Sequence, residues 1–323
     1  MVDKERRNKM DSSKQIYREI CEEEKNIDLR STSFWIESLI KKNQSWEVAV
    51  LKKNGAPHLA LPFVIDHRYG IKRVVLPQLT QAIKIWMANG SDDSINIDDL
   101  TELFSMISTY KNVNLNLHYE HKNLLPLHWI GFAESCNYTY LINDISDPNS
   151  VFNDFSSSAR NKVRKAQKIV KLVMCNDTTR FYKLSCMTFA RQGLANPFDL
   201  YELERHDKAL EKKNQRQMFF AVDADGRDHS ALYLTWDSRS AYVHLVGENP
   251  NLRASGAGIF LINESIKFAS SELGLKLFDF EGSMIESIEQ VRRSCAGVQT
   301  PFSAISKTSM FLGLIQLSRS LRR

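Results

Sequence analysis

The sequence predicts an α/β (α+β) protein of two domains, each a mixed, mostly antiparallel sheet flanked by helices. Three observations predict it. The chain has 323 residues, which is long for a single hydrophobic core. Both halves read meander, then helix, then strand. The second half also joins a strand-like run, Ala241–Gly247, to a helix-like run, Ile259–Glu272, through the glycine hexapeptide Arg253-Ala-Ser-Gly-Ala-Gly258. Strand, glycine loop and helix can together hold a phosphate. The glycines let the backbone turn sharply and approach a ligand, and the first N–H groups of the helix point at it. The same hexapeptide also suits a tight strand-to-helix connection with no ligand. It lacks the G-x-G-x-x-G spacing of the dinucleotide fingerprint.

Composition narrows the classes. Hydrophobic residues make up 43% and charged residues 25%, a soluble globular balance. A net charge of +5 suits small anionic ligands at least as readily as nucleic acid, and DNA is not an expected partner. Cys21, Cys136, Cys175, Cys186 and Cys295 are scattered and form no C-x-x-C pair. That pattern predicts reduced thiols in a cytoplasmic protein and no structural zinc, so no metal is expected. The N-terminal MVDKERRNKMDSSK lacks the apolar core of a signal peptide. No apolar run approaches the ~20 residues of a membrane helix.

Along the first half, residues 1–30 read as a solvated helix or a frayed arm. Ser33 is placed to cap a short helix through Phe34–Ile40. Trp46–Leu51, Ala56–Ile65 and Ile71–Leu76 form an antiparallel meander with turns at Asn54-Gly55 and Tyr69-Gly70. Asp98 or Asp99 is the expected cap of a helix carrying Leu100, Leu103, Phe104 and Ile107 on one face. Strands Val113–Leu117 and Tyr138–Ile142 flank a helix at Leu124–Phe132, with Pro126 in its first turn. The turn-rich Asn143–Pro148 sets the expected boundary, giving domains 1–145 and 146–323.

The second half opens on a basic helix, Phe155–Val170. Helices follow at Thr178–Gln192, capped by Asp177 or Thr178, and at Asp199–Lys213. A second meander runs Gln217–Val222, His229–Trp236 and Ala241–Gly247, with its first turn at Asp225-Gly226. After the glycine loop and its helix come a strand Lys276–Phe280, a helix Ser287–Cys295 stopped by Gly297, and a strand Phe302–Ile305. Met310–Arg322 reads as a basic amphipathic helix. It either packs on the second domain or makes weak peripheral contact with a membrane surface.

Three stretches resemble the FemAB-like branch of the GNAT superfamily, whose members carry two GNAT-like domains in tandem. The first is Ser158-Ala-Arg160-Asn-Lys-Val-Arg164-Lys165-Ala166, similar to the segment that opens the family's second domain. The second is the Arg253–Gly258 loop, similar to the GNAT pyrophosphate loop. The third is Phe278-Asp-Phe-Glu-Gly-Ser283 with Val291-Arg-Arg-Ser-Cys-Ala-Gly297 behind it. The resemblance covers roughly residues 45–305 and is stronger in the second half. It departs at Cys295-Ala-Gly297, where the family has a Phe-Gly pair, and in lacking the long helical hairpin of the cross-bridge enzymes.

The resemblance implies an acyltransferase that takes an acyl group, acetyl in the simplest case, from acetyl-CoA or another acyl-CoA. The acceptor would be an amine on a small molecule, a nucleotide sugar or a surface-polysaccharide precursor. Two alternatives remain: an aminoacyl-tRNA-dependent transferase of the peptidoglycan type, with tRNA as partner, and a non-catalytic nucleotide-binding scaffold on the same fold. Arg253, Ala254, Ser255, Gly256, Ala257 and Gly258 are the expected donor-binding residues. Arg160, Arg164, Lys168 and Lys171 fall on one stripe of a helix over 155–171, either an anion seat or a solvated basic face. From this segment Arg160, Arg164 and Lys165 are the substrate-binding candidates, together with Asp279. Strand alternation puts Asp279 and Glu281 on one face and Phe278 and Phe280 on the other. Glu281 is the candidate general base, unless it caps the next helix. His244 and Tyr242, on one face of the preceding strand, are the alternative base and acid. No Cys or Ser sits in a nucleophile motif, so direct transfer is expected.

Overall fold

The structure, a computed structural model, describes residues 2–68, 70–88, 95–282 and 284–308. It divides into two compact units. One comprises the chain up to Asn137 together with the chain from Pro301 on, and the other is Tyr138–Thr300. The single cut expected near residue 145 would have assigned the last strand to the second domain. The helix expected at Met310–Arg322 lies outside the described residues.

In the first unit, α1 (Val2–Glu23) and α2 (Ser33–Leu39) precede strands β1 (Gln44–Lys53), β2 (Ala56–Arg68), β3 (Ile71–Val75) and the short β4 (Trp86–Met87). Then come α3 (Ile97–Ile107), β5 (Asn112–Leu117) and α4 (Leu125–Trp129). The β1–β2 turn is the expected Asn54-Gly55, with φ of 51° and 80°, the left-handed pair a two-residue hairpin requires. The helix caps differ from expectation. Thr32, not Ser33, holds the N-cap position of α2, without a side-chain capping bond. Asn96 caps α3 by accepting the Asp98 N–H at 2.9 Å, while Asp99 accepts from Lys53 at 2.6 Å. The expected apolar face of α3, Leu100, Leu103, Phe104 and Ile107, is buried against Phe63, Leu115 and other strand residues.

A second polar layer in this unit was not legible in the sequence. Asp28, Arg30, His118 and His121 are all buried. Arg30 donates to Asp28 at 2.9 Å, and His118 lies 3.6 Å from the same carboxylate. Burial alone would raise the Asp28 carboxyl, but Arg30 and its other cationic neighbours hold it at about 2. Burial pulls His118 down to about 3 and His121 to about 4. Each imidazole is therefore neutral in the folded state and binds a proton more readily when unfolded. Their contribution to stability is complete above about pH 6.5 and is lost as the pH falls toward the folded values. Asp28 adds a further loss below about pH 4. Thermal melts from pH 7 to 4 are expected to show a steep fall in Tm, shallower when His118 is replaced by Gln. A flat profile would mean that the cluster is hydrated.

The second unit opens within β6 (Ala133–Ile142), from Tyr138 on, followed by α5 (Pro148–Asp154), α6 (Ser157–Ala166) and β7 (Val170–Met174). Helices α7 (Thr178–Arg191) and α8 (Leu200–Lys212) lead to the meander β8 (Arg216–Asp223), β9 (Asp228–Trp236) and β10 (Ser240–Glu248). The chain closes with α9 (Ala257–Ser271), β11 (Leu277–Asp279), α10 (Glu286–Ser294) and β12 (Val298–Thr308), whose residues from Pro301 on belong to the first unit. The strand order in the second unit is β6-β11-β10-β9-β8-β7, antiparallel except for β10 with β11. In the first unit it is β1-β2-β3-β5-β12, with β3 parallel to β5.

Strand alternation fixes which helices cover which face of the second sheet. Leu232 and Leu234 share a core with Ile259 and Phe260 of α9, whereas Tyr233 between them packs edge-on against Phe181 of α7. The expected helix over Phe155–Val170 ends at Ala166, a correction to the basic stripe. Ile169, Val170 and Val173 are β-branched, and pairing of Val170–Met174 with Phe219–Asp223 wins over helical continuation. Arg160 and Arg164 thus stay on a helix, Lys168 lies in the turn and Lys171 on β7. The stop of α10 also differs. Ala296 takes the left-handed conformation at φ 64°, and Gly297 is needed because a Cβ there would meet the Arg292 carbonyl at 2.7 Å.

Candidate functional site

The site grows from a fault in β10. Val243 pairs with Leu234 and Leu245 with Tyr233, so one residue, His244, is extra and the strand bulges. Pairing with β11 is confined to Ser240–Tyr242 against Leu277–Asp279. A cavity of about 460 Å³ lies at the far part of β10, lined by Val243 and Val246 from that strand, Ile259 and Ile262 from α9, Phe280 beyond β11, and Ile288, Val291 and Arg292 from α10. Its walls are mostly apolar, with Lys162, Arg191, Glu248, Arg253 and Arg292 as charged groups.

The glycine loop borders this cavity. Pro250–Ser255 forms a 3-10 turn, Gly256 takes φ 81°, and α9 starts at Ala257. The first N–H groups of a helix have no carbonyl within it. Here the Ala257 amide reaches Ser255 Oγ at 3.3 Å, and the next two residues, Gly258 and Ile259, line the cavity. Gly256 is required by packing: a Cβ there would lie 2.7 Å from the Lys162 carbonyl of α6. Lys165, expected to meet substrate, donates to the Ala254 carbonyl at 2.6 Å and so ties the loop to the same helix. Gly258 differs. A Cβ there would meet only Glu248 Oε1 at 3.5 Å and Ser230 Oγ at 3.7 Å, ordinary contacts at the cavity's edge.

At the end of β11 the structure brings together two residues that the sequence offered as alternatives. Glu281 Oε2 lies 3.6 Å from His244 Nδ1, with both side chains almost wholly buried. Glu281 has φ 46°, which ends the strand alternation and turns its side chain toward the bulge. It does not cap α10, whose N-cap position is Ile285. Asp279 is fully buried and accepts from Thr139 Oγ1 at 2.6 Å and from the Glu281 N–H at 2.9 Å, so it shapes the turn that carries Glu281. The Tyr242 hydroxyl points away from the pair and donates to Asp237 at 2.6 Å.

His244 sits among rings. Tyr233 packs edge-on against it at 5.6 Å, and His206 lies 5.2 Å away. The Tyr233 hydroxyl donates to Asp207 at 2.7 Å, and Asp207 also pairs with Arg216 at 2.8 Å. Burial pushes the Asp207 carboxyl up and pulls the His206 imidazole far down, so His206 is neutral. Sequence reading missed this layer because α8 was polar on most faces and gave no sign of which face was covered.

It also missed Arg292. This side chain lines the cavity and donates through Nη2 to the Glu281 carbonyl, while its Nη1 is buried with no partner among the described residues. Burial lowers the guanidinium to about 10, against the pull of Asp279 and Glu281, and it remains charged at neutral pH. Its position within Val291–Gly297 was the available signal. Arg160 and Arg164 of α6, expected to meet substrate, are turned to structure. Arg160 donates to the carbonyls of Asn153 and Phe155, and Arg164 stacks 5.9 Å from the Phe152 ring. The thiol of buried Cys295 is pushed up to about 12 by desolvation.

Residues 153–284 match the family model of an acetyltransferase (GNAT) domain. The chain is similar in structure to FemX, at 12% identity over 94% of this chain and 98% of that one, with a TM-score of 0.70. It is also similar to L-PGS from Bacillus licheniformis, at 11% identity over 93% and 95% of the two chains and a TM-score of 0.58. A tandem GNAT protein from the clavulanic acid biosynthesis pathway, solved without AcCoA, matches at 10% identity over 91% and 92%, with a TM-score of 0.54. A search of curated proteins finds no match. Residues 153–284, inside the second unit, thus match a GNAT acetyltransferase domain, and the chain shares the fold of FemX and of a tandem GNAT protein.

Proposed function

We propose that the second unit catalyses N-acyl transfer, moving an acyl group, acetyl in the simplest case, from acyl-CoA to an amine. A nucleotide sugar or a surface-polysaccharide precursor is the acceptor class we favour. The observation that carries this reading is the cavity beside the β10 bulge, lined by Gly258 and Ile259 from the first turn of α9 and by Phe280, the residue before Glu281, which pairs with His244 behind the lining. The residues present suit a CoA donor: the Gly258 and Ile259 amides open a 15-residue helix, Lys162 and Arg191 supply positive charge, and the walls suit an apolar arm. Glu248 is an unfavourable group there. The acyl thioester supplies an electrophilic carbonyl. Glu281, backed by His244, takes the proton that an ammonium acceptor must lose. Arg292 donates to the carbonyl oxygen as negative charge develops on it. A thiol held as high as that of Cys295 stays protonated, which supports direct transfer over an acyl-enzyme.

A second reading is an aminoacyl donor carried on tRNA. Glu248, at the end of β10 beside the glycine loop, disfavours a diphosphate there, and the structural likeness to FemX and L-PGS fits the second reading. Melting in the presence of CoA, acetyl-CoA and tRNA separates the two. A ligand at ~100 times its Kd adds about 2.7 kcal/mol of stability. The first reading expects the gain with both CoA compounds. Gly258→Val is expected to fold, because a Cβ has room there, yet to lose that gain because the branched side chain narrows the cavity mouth. Gly256→Val is the poorer probe, since strain at φ 81° and the Lys162 carbonyl would unfold it whatever the loop binds. A gain with tRNA and none with CoA would replace the first reading by the second.

A further inference from the structure

The loop that opens α9 already holds an anion belonging to the chain. Glu248 is the last residue of β10, and its Oε2 accepts from Arg253 Nε in an ion pair. Both residues line the cavity, and so does Gly258, whose would-be Cβ lies 3.5 Å from Glu248 Oε1. The carboxylate therefore stands beside the first turn of α9, where a helix favours negative charge. The Glu248 backbone is fixed independently of this pair, its N–H donating to Thr188 Oγ1 at 2.7 Å. The pair itself is accessible, with 25% of the Glu248 side chain and 49% of the Arg253 side chain exposed.

We propose that Glu248 is a specificity-determining residue of the donor site, an internal counter-ion that withholds Arg253 from phosphate and sets how strongly a diphosphate-bearing donor is held. The inference rests on the donor site proposed above. Two effects act together. A carboxylate within a few ångströms of the seat repels a diphosphate, and Arg253, already neutralised, offers no net charge to it. A diphosphate binds well only by displacing Glu248 from Arg253, after which the guanidinium can take two phosphate oxygens at once. Donors with a single phosphate or none in this seat lose less to Glu248, so the residue ranks donors by charge. The sequence motif alone predicts an open, basic loop; the carboxylate five residues before Arg253 makes it a self-occupied one.

The test is calorimetric titration of the full chain with inorganic pyrophosphate and, separately, with CoA. The proteins are wild type, Glu248→Gln, Glu248→Ala and the double variant Glu248→Gln with Arg253→Ala. Gln keeps the volume and the backbone bonds of Glu248, and Ala serves if Gln fails to fold. The expected result is about tenfold tighter pyrophosphate binding by Glu248→Gln, with the gain mostly lost in the double variant. Equal or weaker pyrophosphate binding by both single variants would overturn the proposal. The CoA arm judges the donor reading separately. Tighter pyrophosphate with no CoA binding in any form leaves Glu248 in its role and removes CoA as donor. CoA bound equally by wild type and Glu248→Gln, with pyrophosphate unchanged, removes the role of Glu248 and keeps the donor. No binding of either ligand by any form overturns both.

Discussion

Replacing Glu281 by Gln is expected to slow acyl transfer by about 10²–10⁴-fold while leaving donor affinity nearly unchanged, the range general-base catalysis contributes. Gln preserves the shape of the side chain and can still hydrogen-bond, so the left-handed turn at Glu281 and the contacts of Asp279 should persist. What it removes is the carboxylate proposed as proton acceptor, 3.6 Å from His244. The split between kcat and KM makes the distinction: in the variant kcat should fall while the KM for the donor stays near wild type. His244→Ala should lower kcat less, because its side chain is fully buried and is proposed to act through Glu281. A Glu281→Gln enzyme with wild-type kcat would remove both from proton transfer.

Replacing Arg292 by Ala is expected to cost about 10²–10³-fold in kcat, the scale for losing a donor aimed at a developing oxyanion. A guanidinium so desolvated that it titrates near 10, yet retains a buried N–H with no partner among the described residues, is poised for an acceptor that arrives with the substrate. Charge development occurs in the transition state, so KM should move far less than kcat. Arg292→Lys should recover part of the rate by restoring a point charge, but not the fork that also reaches the Glu281 carbonyl. Melting curves guard against a structural explanation, since removing the guanidinium leaves the buried carboxylates of Asp279 and Glu281 less compensated and lowers stability. Wild-type turnover by a folded Arg292→Ala protein would leave Arg292 as a strut for the turn after β11.

By itself the sequence determined the elements whose code is local. Period-two apolar runs placed the strands of both meanders, Asn54-Gly55 and Asp225-Gly226 placed their hairpin turns, and Asp177 placed the start of α7. It also yielded the strand, glycine loop and helix from which the GNAT resemblance follows, because a left-handed residue at position 256 and a tight approach to α6 can be met only by glycine. Tertiary structure decided what depends on distant partners. Pairing with β8 ended α6 at Ala166 and broke the basic stripe, since β-branched residues gain more on a ladder than in an exposed helix. The bulge at His244 and the positive φ of Glu281 leave no mark in a periodicity, yet they turn two residues 37 positions apart (244 and 281) toward each other. Arg160 and Arg164 read as an anion seat from their helical stripe, and Lys165 as a substrate contact from the resembling segment. Arg160 and Lys165 instead bond to backbone carbonyls, and Arg164 stacks on a ring, because those partners lie within reach only after the chain has folded. For the same reason Glu248 was invisible as a tenant of the glycine loop. Its charge was plain in the sequence, but its place beside α9 is a property of the folded chain.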